Sequence, residues 1–404
     1  MQEKSRNQIV IWVFQLCVIA NGVLGKEGGL YVISKLIMFG FFAVMVLSIL
    51  FKRGDYRIGK LFVVPVLFVL YSLTSLLWAH NQNAAMNQMT TQVQLFVLLV
   101  FTYLAVRDGL GLEDYLVAIY ITGFGLIALG LYQQGGLQRY LDVMQDGRIG
   151  GVLSNTYGMA YSNAAICAAY FLVVRKKKIH SLSLFLFVFF ALSTGSKKAS
   201  LMAVAGVLFV VVFHYGLKRL YKTFLIGGIV LVIAWYVIQL PIFNVAYQRL
   251  TSYFTGEGNT LSDNIRQDMV RFGWQLFKER PLFGYGLGSF QSLYYIKSYS
   301  HNNYIEVLVS GGLVGFVLYY AMYLLPVFMV FLGKNKKAVW KNRIYLMLLV
   351  WVAVDLVFGY GYVQIYGKNP WILMGVLLGT ADKVTAGEGL TIQDGENLKL
   401  KNNN

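Results

Sequence analysis

Charge is scarce in this sequence, and acidic charge scarcest of all. Asp, Glu, Lys and Arg make up 13% of the 404 residues, about half the share found in soluble globular proteins. A soluble chain of this length needs a charged shell around its core, so that class is excluded. The two cysteines, Cys17 and Cys167, lie within apolar runs. They read as small buried hydrophobes, neither a disulfide framework nor a metal pair. Four widely spaced histidines give no zinc signature. No small-residue cleavage site follows the apolar stretch 9–24, which therefore reads as a first membrane span, not a removable signal peptide. No internal repeat of the transporter kind is present.

Apolar residues are abundant instead: 57% of the chain, gathered in blocks near the ~20 residues that cross a hydrocarbon core. Twelve spans are expected: 9–24, 30–51, 61–78, 92–107, 114–132, 157–174, 179–194, 199–216, 222–240, 304–332, 343–361 and 369–381. The expected fold class is an all-α integral membrane protein. It divides into nine spans over 1–240, a large loop at 241–303, three spans over 304–381 and a polar, disordered tail at 382–404.

The formal charge of +17 points to topology, not to nucleic acid, because the basic residues fall in short loops and not on one soluble face. With the N-terminus inside, the inner loops and tail hold 22 of the 35 basic residues, as the positive-inside rule asks. Both termini are then cytoplasmic and 241–303 is extracytoplasmic. Against that background the exceptions matter. The turn STGSKKAS (193–200) lies outside yet carries Lys197 and Lys198. They are either solvated turn lysines or an anion site.

Within the outer loop, the stretch NTLSDNIRQDMVRFGWQLFKERP (259–281) places Ile265, Met269, Phe272 and Leu276 at helical spacing. Ser262 or Asp263 would cap this helix and Pro281 would stop it. It is an amphipathic helix lying on the outer leaflet or over the bundle. Arg266 and Arg271 sit about 140° apart on it, and either pairs with Asp263 and Asp268 or offers its fork to a phosphate. The glycine-rich PLFGYGLGSF (281–290) is no dinucleotide fingerprint, since no strand precedes it; it permits a tight turn, with Tyr285 available beside a ligand. In SHNNYIEVLVSGGLVG (300–315), His301 is either a helix-capping residue or a general base. Asn302 is its neighbour, and Glu306 falls just inside the membrane edge, where a charge needs a partner or a wet cavity. Lys35 and Asp355 are two further ionisable residues in spans, near the same side. A cationic outer pocket holding one titratable base suits an anionic, lipid-linked substrate.

These motifs together resemble the O-antigen ligase and repeat-unit polymerase superfamily. STGSKKASL resembles its "TGSR" turn, Arg266 followed by PLFGYGLGSF its arginine and "PLFGYG.GSF", and HNNYIEVLVSGGLVG its "HN.YLE" segment. The resemblance implies a GT-C-like, metal-independent glycosyltransferase without cofactor, at the outer face of the cytoplasmic membrane. Its donor and acceptor would be undecaprenyl-pyrophosphate-linked glycans, and a chain-length regulator and a flippase its expected protein partners. By that resemblance His301 deprotonates the acceptor hydroxyl and Arg266 holds the departing pyrophosphate; Glu306, at the membrane edge, completes the candidate catalytic set. Lys197 stands where the motif has arginine; Lys198, Arg271, Asn302 and Tyr285 complete the substrate-binding set. The expected function is a polymerase for capsule, exopolysaccharide or O-antigen. The alternatives are a ligase moving the finished glycan to another acceptor and, from another class, a lipid-linked oligosaccharide flippase.

Overall fold

The computed structural model describes residues 7–25, 29–51, 56–147, 149, 153–216, 221, 225, 228, 232, 235–245, 247–248, 251 and 261–388. Regular structure among them is entirely helical. In chain order the helices are α1 (Gln8–Leu24), α2 (Leu30–Leu50), α3 (Val63–Thr74), α4 (Gln82–Arg107) and α5 (Leu112–Gln134), then α6 (Leu137–Asp146), α7 (Ser154–Val173), α8 (His180–Ser193) and α9 (Lys197–Tyr215). After the outer segment come α10 (Leu261–Glu279), α11 (Ser289–Leu293), α12 (Asn303–Leu332), α13 (Lys336–Lys341), α14 (Arg343–Gly359) and α15 (Lys368–Thr385).

Six of the described helical stretches are long and apolar enough to cross a membrane: Leu30–Leu50, Lys60–Trp78, Gln82–Arg107, Leu112–Gln134, Lys197–Tyr215 and Asn303–Leu332. Gln8–Leu24 and His180–Ser193 are shorter apolar helices. Single apolar runs make them helices because a lipid-facing backbone must satisfy its own hydrogen bonds. The expected span 222–240 lies mostly outside the described residues.

Four elements differ from the sequence reading. Helix α10 is already helical at Leu261, so Ser262 and Asp263 lie within its first turn and do not cap it. Helix α15 runs on to Thr385 and buries Val384, inside the stretch expected as tail. Helix α4 starts ten residues earlier than the apolar run, because the Asn81 side chain caps it by accepting from Ala84 N at 3.0 Å. Its polar first turns are not loop: Ala85 and Met89 are buried beneath Leu287. A short amphipathic helix, α6, also forms between α5 and α7. It buries Tyr140 and Met144 in a cluster with Tyr161, Phe190 and Phe243, and the Tyr140 hydroxyl lies 2.7 Å from Ser193 Oγ.

In the bundle, α7 packs on α5, α8 and α9, α15 on α4, and α12 on α3, α10 and α15. Helix α12 is broken. Gly312 has φ 58° and ψ −160° inside it, so the usual N–H to C=O ladder fails across that residue. The glycine-rich loop takes over backbone groups on both sides of the break. Val309 and Ser310 carbonyls accept from Tyr285 and Gly286 N–H at 2.8 and 3.0 Å. Leu313 and Val314 N–H donate to the Pro281 and Leu282 carbonyls at 2.8 and 3.2 Å. Tyr71 closes the gap by donating its hydroxyl to the Gly311 carbonyl at 2.6 Å. The glycines are sterically required: a Cβ at Gly312 would meet the Leu282 carbonyl carbon at 2.4 Å, and one at Gly284 the Val309 oxygen at 2.6 Å. The break and its loop fix the path of the chain on either side of residues 297–303.

Candidate functional site

The site is built where α9, α10 and α12 begin or pass one another. Helix α10 carries the expected stripe. Met269 and Leu276 are buried, with Ile265 and Phe272 packed beside them, against Phe290, Tyr294, Ile305 and Val309. The amphipathic helix thus lies over the bundle, and this seating brings Arg266 toward the start of α12.

There the chain makes a tight knot. Asn302 caps α12, its side chain accepting from Tyr304 and Ile305 N–H at 2.9 and 3.2 Å. Ser300 Oγ donates to the Asn302 carbonyl at 2.7 Å. The Glu306 carboxylate, 1% exposed, accepts from Ser300 N–H at 3.1 Å. Between these ties His301 is held at φ 53°, a left-handed conformation uncommon for a side-chain-bearing residue. Such strain persists only where surrounding contacts over-determine it, and here Glu306 and Asn302 do so. Asn303 adds a further anchor: its side-chain oxygen accepts from Gln364 and Ile365 N–H at 2.8 and 2.9 Å.

Burial, together with the positive charges of Arg266 and Lys198, pushes the His301 imidazole down to about 4. The histidine is therefore neutral at physiological pH and keeps a lone pair for a proton. Arg266 and Lys198 are thus near enough to His301 for their charge to act on it. The Lys198 side chain extends over Gly361, where a Cβ would lie 1.6 Å from the lysine Nζ. Tyr299 stands on the other flank, its ring centroid 4.3 Å from that of His301.

The turn that supplies Lys198 is tightly seated. Ser196 caps α9 by accepting from Ala199 N–H at 3.4 Å, and Ser162 Oγ donates to the Ala199 carbonyl at 2.7 Å. Lys197 and Lys198 occupy the first two helical positions. The macrodipole disfavours cations there by about 0.3–1 kcal/mol each, a penalty that a bound anion reverses.

Other expected residues lie elsewhere. Lys197 is half-buried at the same helix start, one residue and so about 100° around from Lys198. Arg271 is exposed on α10. The Tyr285 hydroxyl donates to Glu279, and the Arg280 guanidinium lies 4.5 Å over its ring. Tyr285 is thus engaged in holding the loop that mends α12, and the Glu279 contact raises its hydroxyl's ordinary value. Asp268 accepts from Tyr294 at 2.9 Å; the Asp263 side chain lies outside the described residues. Asp355 accepts from Tyr323 at 2.8 Å inside the bundle, and Lys35 lies over the Tyr31 ring at 4.6 Å. Glu306, expected in the catalytic set, accepts from the N–H of Ser300, the residue before His301. Gly361 and Tyr299 were missed. The glycine and tyrosine run GYGY at 359–362 was the one available signal for the former.

An all-helical bundle with several membrane-crossing helices and a polar, cationic cluster at one end defines a multi-pass membrane protein with its candidate site at the bundle's rim. Residues 182–320 match the family described as O-antigen ligase, which supports placing the chain in the O-antigen ligase and polymerase superfamily. The matched stretch contains Lys198, Arg266, His301 and Glu306. No curated protein sequence matches the chain.

Proposed function

We propose that the chain is a glycosyltransferase joining lipid-linked glycans, specifically a repeat-unit polymerase acting on undecaprenyl-pyrophosphate-linked oligosaccharides at the outer face of the cytoplasmic membrane. The observation that supports this reading is His301 held at positive φ by the knot at the head of α12, with the charges of Arg266 and Lys198 acting on it. His301 takes the proton from an acceptor hydroxyl. The hydroxyl oxygen bonds to the donor's anomeric carbon as the bond from that carbon to the pyrophosphate oxygen breaks. Arg266 and Lys198 hold the pyrophosphate and stabilise the charge that it gains on leaving, the role of preorganised electrostatics.

The electrostatics also suggest an order of events. Burial and, after it, two cations make His301 a weak base, below the pKa near working pH that suits proton transfer. A pyrophosphate held by Arg266 and Lys198 offsets their charge and returns the part of the histidine's basicity that those charges remove. The base thus gains strength once the donor is bound.

Polymerase is preferred to ligase because the described residues hold no separate acceptor domain. The flippase reading loses support from α12. Transporters leave broken-helix backbone open to bind ions or substrate, whereas the carbonyls and N–H groups named above at Gly312 are bonded to the 281–286 loop and Tyr71. The test is purified protein in lipid with lipid-linked repeat units as sole substrate. A ladder of products supports a polymerase. Transfer seen only after another acceptor is added indicates a ligase, and no transfer under either condition contradicts both.

A further inference from the structure

We infer that Tyr299 is a stacking platform for the acceptor sugar whose hydroxyl His301 deprotonates; this deepens the function proposed above and rests on it. Tyr299 is 44% exposed, yet its ring lies 4.3 Å from the imidazole at an interplanar angle of 44°. An aromatic serving only as a membrane-interface anchor has no need of that position. Its ring instead lies against the imidazole that carries the proposed base.

The segment that bears it is pinned. Lys297 turns the chain at φ 57°, with its N–H donating to the Tyr294 carbonyl at 2.9 Å. Gln291 Nε2 donates to the Lys297 carbonyl at 3.0 Å, and Lys297 Nζ to the Ser292 carbonyl at 2.7 Å. A rigid aromatic offers contact area at little cost in ordering. A pyranose presents a C–H face to such a ring and hydroxyls around its edge. Stacked on Tyr299, it turns one edge toward the neighbouring imidazole. The acceptor is the partner that needs this, because its hydroxyl must be near the base, whereas the donor is held by its pyrophosphate.

The experiment uses the full chain in lipid, lipid-linked repeat unit as donor at fixed concentration, and delipidated repeat-unit oligosaccharide as soluble acceptor. Tyr299→Ala should raise the acceptor KM roughly 3- to 10-fold, the scale of one aromatic stacking contact, with the donor KM unchanged. Tyr299→Trp should restore the wild-type value. Tyr295→Ala, which removes an aromatic 69% exposed on the same loop, should alter neither. An unchanged acceptor KM in Tyr299→Ala, or an equal rise for donor and acceptor, overturns the inference. An activity-independent arm separates it from the function itself. Tyr299→Trp should show a fluorescence change beyond that of the wild type when the oligosaccharide is added, even if no transfer occurs. No such change overturns the platform, while binding without transfer counts against the proposed reaction alone.

Discussion

Burial, aided by two nearby cations, keeps His301 neutral, and the consequence is a pH profile unlike that of an ordinary catalytic histidine. Its value near 4 lies below the unperturbed value of about 6.5. kcat/KM, which reports the free enzyme, should therefore stay level from pH 7.5 to 5, where an unshifted histidine would lose about thirtyfold. kcat, which reports the substrate complex, should show its acid limb at higher pH than kcat/KM does. The sign for stability is the same: a lowered folded-state value means that the unfolded chain takes up the proton first, so the fold loses stability as pH falls from about 6.5 toward about 4. Lys198→Ala should move the acid limb of kcat/KM upward and weaken donor binding, while Lys197→Ala should do neither. Gly361→Ala offers an independent check, since its methyl would occupy the seat of the Lys198 head group. It should displace the lysine head group and move the acid limb in the same direction as Lys198→Ala but by less, with normal membrane insertion. A wild-type profile for Gly361→Ala would place the lysine's working position elsewhere.

At the scale of elements, the break in α12 ties the loop 281–286 to the helix that carries the histidine knot. The loop contributes backbone, not side chains, to that job, which is why glycine recurs in it. Gly312→Ala puts a side chain at positive φ, costing about 1–2 kcal/mol, and drives its Cβ against the Leu282 backbone. Thermal unfolding in detergent should occur several degrees lower, and activity should fall with it. An unshifted midpoint would mean that the mended break is not a structural requirement. Glu306→Gln tests the other tie. A glutamine oxygen still accepts from Ser300 N–H, so activity should be largely kept, whereas Glu306→Ala should lower kcat and leave the donor KM near normal.

Across the whole molecule, the apolar runs made helices and membrane crossing legible, and the amphipathic period of 265–276 located the helix over the site. His301 and Arg266 were legible as motif residues. Three things were not. Which turn lysine faces the histidine depends on a 100° rotation and on the space above Gly361, neither of which leaves a pattern in local sequence. The early start of α4 was hidden because its first turns are polar, although Ala85 and Met89 are buried there by a loop some two hundred residues away. The purpose of PLFGYG could not be read because its partners, the carbonyls and N–H groups around Gly312, are backbone atoms. Orientation is the remaining large-scale expectation. A cysteine at Tyr295 should react with a membrane-impermeant reagent in intact cells, and one at Lys337, exposed near the bundle's other end, should react only after permeabilisation. The reverse pattern would put the site on the cytoplasmic side.

The central claim is that His301 is the base, and the most direct test is the single-turnover transfer rate of His301→Gln with saturating lipid-linked donor and acceptor. Glutamine can hydrogen-bond and sit at the same bend, but it cannot take a proton near neutral pH. The rate should fall by about 10²–10⁴ while expression, insertion and donor binding remain as in the wild type. Transfer at the wild-type rate would show that the histidine serves only the knot at the head of α12, and that the proton leaves by another route.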